Sequence, residues 1–182
     1  GARPKTIVRD EQGEMWIAKF PRRGDSYDRQ RVEFANLEMA RAIGLTVPEV
    51  HLTQTHLGAV LLTRRFDRER LPAERGGEPV VARRHFLSGA SLISPSAQIG
   101  KRELDGARGK ATYSYARLAD VVRRISSNPV QDLKELYARM ILNVAVHNTD
   151  DHLKNVSFLK AEGAGTYRLS PLFAVVTQEG LS

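Results

Sequence analysis

The chain has 182 residues, of which 41% are apolar and 27% charged, as is typical of a globular domain with a substantial core. It contains no cysteine, which excludes disulfides and thiolate metal sites and fits a reducing compartment. No apolar run approaches the ~20 residues of a membrane span and the N-terminus lacks a signal-peptide pattern, so we expect a cytoplasmic protein without a membrane partner. The net charge of +7 is compatible with a solvated basic surface, a phosphate-rich ligand, an acidic partner or nucleic acid.

The first half of the chain has the pattern of short strands around one helix. Strands are predicted at Lys5–Arg9, Met15–Phe20, Glu49–Gln54 and Gly58–Arg65, and the helix at Asp28–Ile43. The apolar face of this helix is predicted to consist of Val32, Ala35, Met39, Ala42 and Ile43. Gln12-Gly13 favours a hairpin, and Gly44 favours a left-handed cap at the helix end. The charged segment Asp67–Gly77 is predicted to be a loop at a lobe boundary.

The second half of the chain is predicted to be mainly helical. Helices are predicted at His85–Ile93, Tyr113–Ile125 and Val130–His147, strands at Val156–Leu159 and Thr166–Leu169, and a mobile loop at Ser94–Thr112. Asn128 as N-cap, Pro129 at the first helical position and Gln131 in a capping box define the start of the last helix. The buried stripe of this helix is predicted to comprise Leu133, Tyr137, Met140, Ile141 and Val144.

The stretch HNTDDHLKN at residues 147–155 carries the strongest chemical signal in the sequence. It follows a predicted core helix and precedes a strand pair, so it is a loop held at both ends, where functional residues concentrate. Asp150 and Asn155 have the D-x4-N spacing of a phosphotransferase loop, in which Asp orients the attacking hydroxyl and Asn binds Mg²⁺. Lys154 is placed to help neutralise a transferring phosphoryl group.

Two other interpretations of this stretch stay open at this point. Asn, Thr and Asp all favour turns and helix ends, so the cluster is also compatible with a solvated turn. His147, Asp150 and His152 are alternatively candidate ligands of zinc or another transition metal, although their spacing matches no strong zinc motif. The D-x4-N spacing therefore needs partners elsewhere in the chain.

Candidate partners occur in the order that a kinase requires. GARPK at residues 1–5 has the composition of the tail of a Gly-rich phosphate-covering turn. Lys19 lies among apolar residues of the strand MWIAKF, where an ammonium is costly unless it is paired. Glu33 on the following helix offers the carboxylate, and such a strand-to-helix ion pair sets the phosphate-binding lysine in kinases. VLLTRRFDRE at residues 60–69 ends a strand where a hinge would bind adenine, with Asp67 near the ribose.

WIAKF, VEFANLEMARAIGLTVPEV, LLTRRFDR, NTDDHLKN and TYRLSPLF, in this order, resemble the HipA-like serine/threonine kinases. The resemblance covers nearly the whole chain. It implies an α+β, two-lobed kinase-like fold, with a β-rich nucleotide-binding lobe at residues 1–66 and a mainly helical lobe at 67–182. It also implies ATP and Mg²⁺, a protein substrate with a serine or threonine hydroxyl, and a HipB-like DNA-binding antitoxin. The substrate of HipA-type toxins is an aminoacyl-tRNA synthetase, the one for glutamate.

The resemblance also implies roles for the nucleotide-site residues. Lys19 corresponds to the phosphate-contacting lysine, and Glu33 falls on the helix position that faces it. Arg64 to Phe66 would form the adenine hinge, and Asp67 and His152 would lie near the ribose. The catalytic aspartate would be the Asp of the D-x4-N motif, and its Asn a magnesium ligand.

Three departures from the family pattern lead us to expect an impaired kinase. The chain begins inside the expected Gly-rich loop and stops where family members continue into further helices, so it is truncated at both ends. The family motif L-[ST]-P-x-[YF]-D is replaced by Leu169–Ala174, so Ala174 occupies the position of a metal-binding aspartate. The alternative function is a non-catalytic basic module that contacts nucleic acid or a DNA-bound antitoxin.

Overall fold

The computed structural model describes residues 3–71, 80–93, 114–161 and 165–177. The chain forms two compact units: the first comprises Gly1–Arg84, Leu142–Asp150 and Pro171–Ser182, and the second comprises His85–Ile141 and Asp151–Ser170. The predicted lobe boundary after residue 66 falls inside the first unit, and the division into lobes stays a prediction. None of the described helices has the length and apolarity needed to cross a lipid bilayer.

The first unit is built on an antiparallel sheet with the strand order β1-β2-β4-β3 in the described residues. Its elements are β1 (Lys5–Arg9), β2 (Met15–Lys19), α1 (Arg29–Ala42), β3 (Val50–Thr55) and β4 (Gly58–Arg64). The predicted hairpin is confirmed, with Gly13 at a φ of 82° in the turn. The predicted cap of α1 is also confirmed: Gly44 has a φ of 86° and donates its N–H to the carbonyl of Arg41.

The predicted apolar face of α1 is wrong. Met39 and Ile43 are exposed, and Ala35 also faces solvent. The buried face is displaced around the helix and is largely polar; it consists of Gln30, Glu33, Asn36, Leu37 and Ala40. Apolar spacing misplaces the buried face because Gln30 (through Nε2), Glu33 and Asn36 each hydrogen-bond inside the first unit, and a hydrogen-bonded polar group can be buried at little net cost.

The predicted loop at Asp67–Gly77 is wrong over its first part. Arg68–Leu71 forms β5, which pairs antiparallel with β6 (Val80–Arg83). Residues 72–79 lie outside the described part of the chain. The sequence pattern does not predict this strand pair, because both strands are largely exposed and bury no apolar face.

The second unit packs helices against the antiparallel sheet β7-β8-β9. Its elements are β7 (Phe86–Ser88), α2 (Gly89–Ile93), α3 (Tyr115–Ile125), most of α4 (Pro129–Ala145), β8 (Ser157–Lys160) and β9 (Tyr167–Leu169). The predicted helix at His85–Ile93 is therefore half strand, and the predicted loop at Ser94–Thr112 lies outside the described residues. The core centres on Leu118, Val122 and Phe158, none more than 1% exposed.

Glycine is required where β7 gives way to α2. A Cβ atom on Gly89 would lie 2.7 Å from Cδ2 of Leu118 and 3.1 Å from the carbonyl oxygen of Leu153. The same residue donates its N–H to the carbonyl of Val156 at 2.7 Å. This close approach joins the start of α2 to the end of the HNTDDHLKN stretch and to Val156 directly after it.

The predicted buried stripe of α4 is wrong. Tyr137, Ile141 and Val144 are 63%, 49% and 71% exposed, while Leu133 and Met140 are half-buried. The buried positions are instead Asp132, Glu135, Leu136, Arg139, Leu142 and Asn143. The predicted N-terminus is correct, because the N–H of Gln131 donates to Oδ1 of Asn128 at 3.3 Å.

Buried charges on α4 explain why its apolar stripe faces outward. Asp132 accepts hydrogen bonds from Oγ of Ser126 at 2.6 Å, from the N–H of Leu169 at 3.1 Å and from the guanidinium of Arg168. Arg139 pairs with Glu135 one turn earlier. Burial lowers the pKa of Arg139, and the carboxylate of Glu135 opposes that shift. Such groups must stay inside once paired, because breaking a buried pair leaves an uncompensated charge.

Two truncations on α4 test this assignment. Leu136→Ala removes a side chain that is 3% exposed, so we expect a loss of about 2–5 kcal/mol in the free energy of unfolding. Ile141→Ala removes one that is half exposed, so we expect a loss of no more than about 1 kcal/mol. Urea denaturation measures both. Equal losses would contradict the observed orientation of the helix.

Candidate active site

An ion pair with a buried carboxylate joins β2 to α1 in the first unit. Nζ of Lys19 lies 2.5 Å from Oε1 of Glu33, and the Glu33 side chain is only 7% exposed. Lys19 is the last residue of β2, where its side chain lies on the face that α1 covers. The predicted pairing of these two side chains is confirmed, while its role in nucleotide binding stays a prediction.

The end of β4 contributes an aromatic contact next to position 174. The rings of Phe66 and Phe173 lie 5.6 Å apart and are tilted by 40°. Arg64 points elsewhere: its guanidinium binds Glu14 at 2.9 Å and Glu49 at 3.5 Å on the exposed surface. The hydrogen bond from Arg64 to Glu14 raises the pKa of Arg64. Of the predicted hinge, Phe66 is therefore the side chain that lies beside Phe173, the residue before Ala174.

Two arginines hold the predicted ribose residue Asp67. Arg65 donates from Nε and Nη2 to its two carboxylate oxygens at 2.8 and 2.5 Å, and Arg68 donates from Nη1 at 2.6 Å. Burial on its own raises the pKa of Asp67, but the hydrogen bonds and charges of both arginines outweigh it and lower the pKa. Sequence analysis missed these partners because adjacent charges in a segment predicted to be loop suggested solvation.

The first part of HNTDDHLKN turns sharply out of α4. His147 has a φ of 51°, in the left-handed region. Asn148 fixes the turn: its N–H donates to the carbonyl of Asn143 at 2.8 Å, its Nδ2 donates to Oδ1 of that residue at 2.9 Å, and its Oδ1 accepts the N–H of Asp150 at 3.2 Å. Asp150 itself is exposed. Asn148 thus orients the predicted catalytic aspartate, and sequence analysis missed it.

The second part of the stretch belongs to the second unit and borders a cavity of about 440 Å³. Asp151, His152 and Lys154 line this cavity together with apolar side chains of α2 and α3. The hydroxyl of Tyr115 donates to Oδ2 of Asp151 at 2.8 Å. Asn155 closes a turn by donating its N–H to the carbonyl of His152 at 2.8 Å.

Ala174 adopts a conformation that alanine disfavours. Its φ is 60°, in the left-handed region where glycine is at ease and Asn and Asp are enriched. Nδ2 of Asn148 lies 3.5 Å from its carbonyl oxygen, so the turn that carries Asp150 contacts this segment. The backbone at position 174 therefore suits aspartate better than the alanine that is present.

The side chains of the described residues do not complete a magnesium site. A methyl group at position 174 offers no oxygen ligand, and no group of three His, Asp or Glu side chains is arranged to hold a metal among these residues. Of the predicted metal positions, only Asn155 has a suitable oxygen donor. The zinc alternative at His147, Asp150 and His152 gains no support from this part of the chain.

The fold defines the class of protein: an α+β, kinase-like domain. Solved structures of two kinases share this fold. HipA of Shewanella oneidensis, solved with HipB and operator DNA, matches 97% of this chain and 43% of its own with a TM-score of 0.73 and 23% identity. The proinflammatory kinase CtkA of Helicobacter pylori matches 94% of this chain and 54% of its own with a TM-score of 0.65 and 16% identity.

The chain belongs to the family of HipA-like C-terminal domains, whose model matches residues 1–181. The serine/threonine-protein kinase toxin HipA of Shewanella oneidensis is 27% identical over 132 residues, which is 69% of this chain and 29% of the toxin. A putative kinase of Haemophilus influenzae is 26% identical over 150 residues, which is 80% of this chain and 40% of that protein. The chain thus spans well under half the length of these two relatives.

The left-handed conformation at position 174 predicts that replacing alanine by glycine changes the free energy of unfolding in opposite directions at positions 174 and 35. Ala174→Gly should raise the free energy of unfolding by about 0.5–1 kcal/mol, because relief of the left-handed conformation exceeds the added chain entropy. Ala35→Gly, at an exposed site inside α1, should lower it by about 1 kcal/mol. Thermal unfolding of both variants measures the difference. A loss of stability in Ala174→Gly would show that the backbone at 174 is not left-handed.

The arginine cluster around Asp67 predicts a pH dependence. A carboxylate whose pKa is lowered on folding stabilises the fold above its unfolded pKa of about 4, and this contribution is lost as the pH falls through the folded value. Asp67→Asn should therefore be less stable than the wild type at pH 7, with the gap closing as the pH drops below about 4. Urea denaturation at several pH values measures it. A gap that stays constant down to about pH 2 would contradict the assignment.

Proposed function

We propose that the protein is an ATP-dependent serine/threonine kinase of HipA type whose activity is impaired by alanine at position 174. The observation that carries this proposal is the ion pair between Lys19 and the buried carboxylate of Glu33. A carboxylate at this depth orients the ammonium, and a kinase uses such an ammonium to contact the phosphates of ATP. Family membership supports the same assignment.

Each site residue has a proposed role in this reaction. The main chain of residues 64–66 binds adenine, with Phe66 packing beside it. His152 contacts the ribose, and Asp67, held by Arg65 and Arg68, lies near the ribose. Asp150 orients the attacking hydroxyl, since Asn148 already fixes its backbone. Lys154 offsets charge on the transferring phosphoryl group, a form of electrostatic stabilisation that supplies much of the rate in phosphoryl transfer.

Magnesium is where this chain departs from the proposed activity. Mg²⁺ neutralises phosphate charge in kinases, and Asn155 would hold it here. The second protein ligand is missing because Ala174 has no side-chain oxygen. Binding of adenine nucleotide through Lys19 and the hinge does not need that ligand, so we propose that the nucleotide site is retained while turnover is slow.

The proposed partners follow from the relatives. The Shewanella oneidensis structure contains HipA with HipB and operator DNA, so we propose a HipB-like DNA-binding antitoxin as a partner of this protein. The proposed substrate is a protein hydroxyl, as the serine/threonine kinase relative suggests. We place the protein in the cytoplasm, which the cysteine-free sequence fits. The alternative of a non-catalytic module is not favoured, because the relatives matched by fold and by sequence include kinases.

Restoring aspartate at position 174 tests the proposed function. In the full-length protein we expect Ala174→Asp to raise phosphorylation of a protein substrate, or autophosphorylation, on the order of 100-fold or more, because one electrostatic group in a transition state commonly contributes that much. Transfer of the γ-phosphate from radiolabelled ATP measures the rate.

Two control variants test whether the gained activity depends on Asp150 and on a carboxylate at position 174. Adding Asp150→Ala to Ala174→Asp should abolish the gained activity. Ala174→Asn should gain less activity than Ala174→Asp, because an amide oxygen can bind Mg²⁺ but adds no negative charge. If the wild type and the Ala174→Asp variant transfer phosphate at the same rate, position 174 is not the metal position. If neither transfers phosphate nor binds ATP, the kinase assignment fails.

A further inference from the structure

A row of buried polar side chains runs along α1, and we call it the α1 polar row: Gln30, Glu33 and Asn36. Each is 5% exposed, and their spacing of three residues places them on one face of the helix. A buried polar group generally needs a hydrogen-bond partner. The partners of the α1 polar row therefore show which segments this face of the helix holds in place.

The first two members bind the end of β2. Nε2 of Gln30 donates to the carbonyl of Phe20 at 2.7 Å, directly after Lys19 in the chain. Glu33 accepts from Lys19 itself. This half of the row fixes the position of the strand end that carries the ammonium.

The third member binds a distant segment of the chain. Nδ2 of Asn36 donates to the carbonyl of Val175 at 3.1 Å and to Oγ1 of Thr177 at 3.0 Å. The hydroxyl of Tyr27, just before α1, donates to the carbonyl of Thr177. The segment held in this way begins directly after Ala174, the position whose backbone is left-handed.

We propose that Asn36 is a positioning residue that ties the Lys19–Glu33 pair to position 174. The amide of Asn36 holds the segment after residue 174, and the carboxylate of Glu33 one turn earlier holds Lys19. The helix α1 therefore fixes the positions of both the lysine and this segment. Asn36 touches neither nucleotide nor substrate; it acts through Val175 and Thr177. This inference rests on the proposed function for its catalytic consequence, whereas the mechanical link between α1 and residues 174–177 stands independently of it.

The side-chain chemistry supports a positioning role. Only the NH₂ group of the amide makes these two bonds, and both acceptors are oxygens. Aspartate has the same shape but no donor, so it would set a carboxylate against a carbonyl oxygen. Leucine or valine would satisfy packing on a buried helix face better than asparagine does. The amide is thus suited to hold a main-chain segment in register.

The mechanical link is tested by amide hydrogen exchange in the full-length protein. Asn36→Ala should raise the exchange rates of the amides at 174–177 by about 10-fold or more, since local opening becomes easier when a tether is removed. Met39→Ala, on the exposed side of the same helix, is the matched control and should change those rates less than about twofold. Unchanged rates in Asn36→Ala, or equal increases in both variants, would overturn the proposal.

The catalytic consequence is tested by kinetics in the full-length protein carrying Ala174→Asp. Adding Asn36→Ala should lower kcat by about 10-fold or more while KM for ATP changes less than about threefold, because Lys19 and Glu33 remain paired. Thr177→Val, which removes one of the two acceptors, should give a smaller loss in the same direction. Combining it with Asn36→Ala should add little further loss, because both act on one contact.

The two experiments separate the possible failures. If the Ala174→Asp protein transfers no phosphate, the proposed function fails, and hydrogen exchange alone decides whether Asn36 tethers residues 174–177. If that protein is active and Asn36→Ala leaves kcat unchanged, or raises KM for ATP as strongly as it lowers kcat, the positioning role is overturned.

Discussion

Burial of the Glu33 carboxylate is the constraint on which the first unit depends. A carboxylate at this depth must be matched by a cation, because an unpaired buried charge costs several kcal/mol, on the order of 3–5 when one partner is removed. Lys19 supplies that cation from the end of β2. Neighbours on the same helix face then bind the end of β2 and the segment after Ala174. The buried face of the helix therefore includes polar side chains that bind segments distant in sequence.

The elements of the fold were largely predictable, but the faces of the two long helices were not. Turn glycines, caps and strand patterns located α1, α4 and most strands to within a few residues. Apolar spacing then placed Met39 and Tyr137 inside, whereas the structure exposes both. In each helix the interior instead holds groups such as Glu33 and Asp132 that bond to distant segments. Hydrophobic periodicity uses only the positions of apolar residues, so it cannot predict the burial of a polar group whose partner is far away in sequence.

The candidate site was predictable where a single residue was costly without a partner. Lys19 in an apolar strand required a carboxylate, and the pairing with Glu33 followed from that cost. The residues that were missed are neutral ones. Asn148 accepts the N–H of Asp150, and Tyr115 donates to the neighbouring Asp151. Residue spacing does not predict these hydrogen bonds, since amides and hydroxyls are also common in solvated turns. The left-handed backbone at Ala174 was also invisible, because alanine gives no sign of it.

Direct measurement of nucleotide binding tests the central claim that this chain retains the ATP site while lacking a metal ligand. Calorimetric titration of ADP without magnesium into the full-length protein should show one site. Lys19→Met should weaken that binding by about 10-fold or more, since roughly 1.4 kcal/mol of phosphate contact is a factor of ten in affinity. Ala174→Asp should leave it nearly unchanged under the same conditions. Binding of equal strength in the Lys19→Met protein, or none in the wild type, would contradict the account.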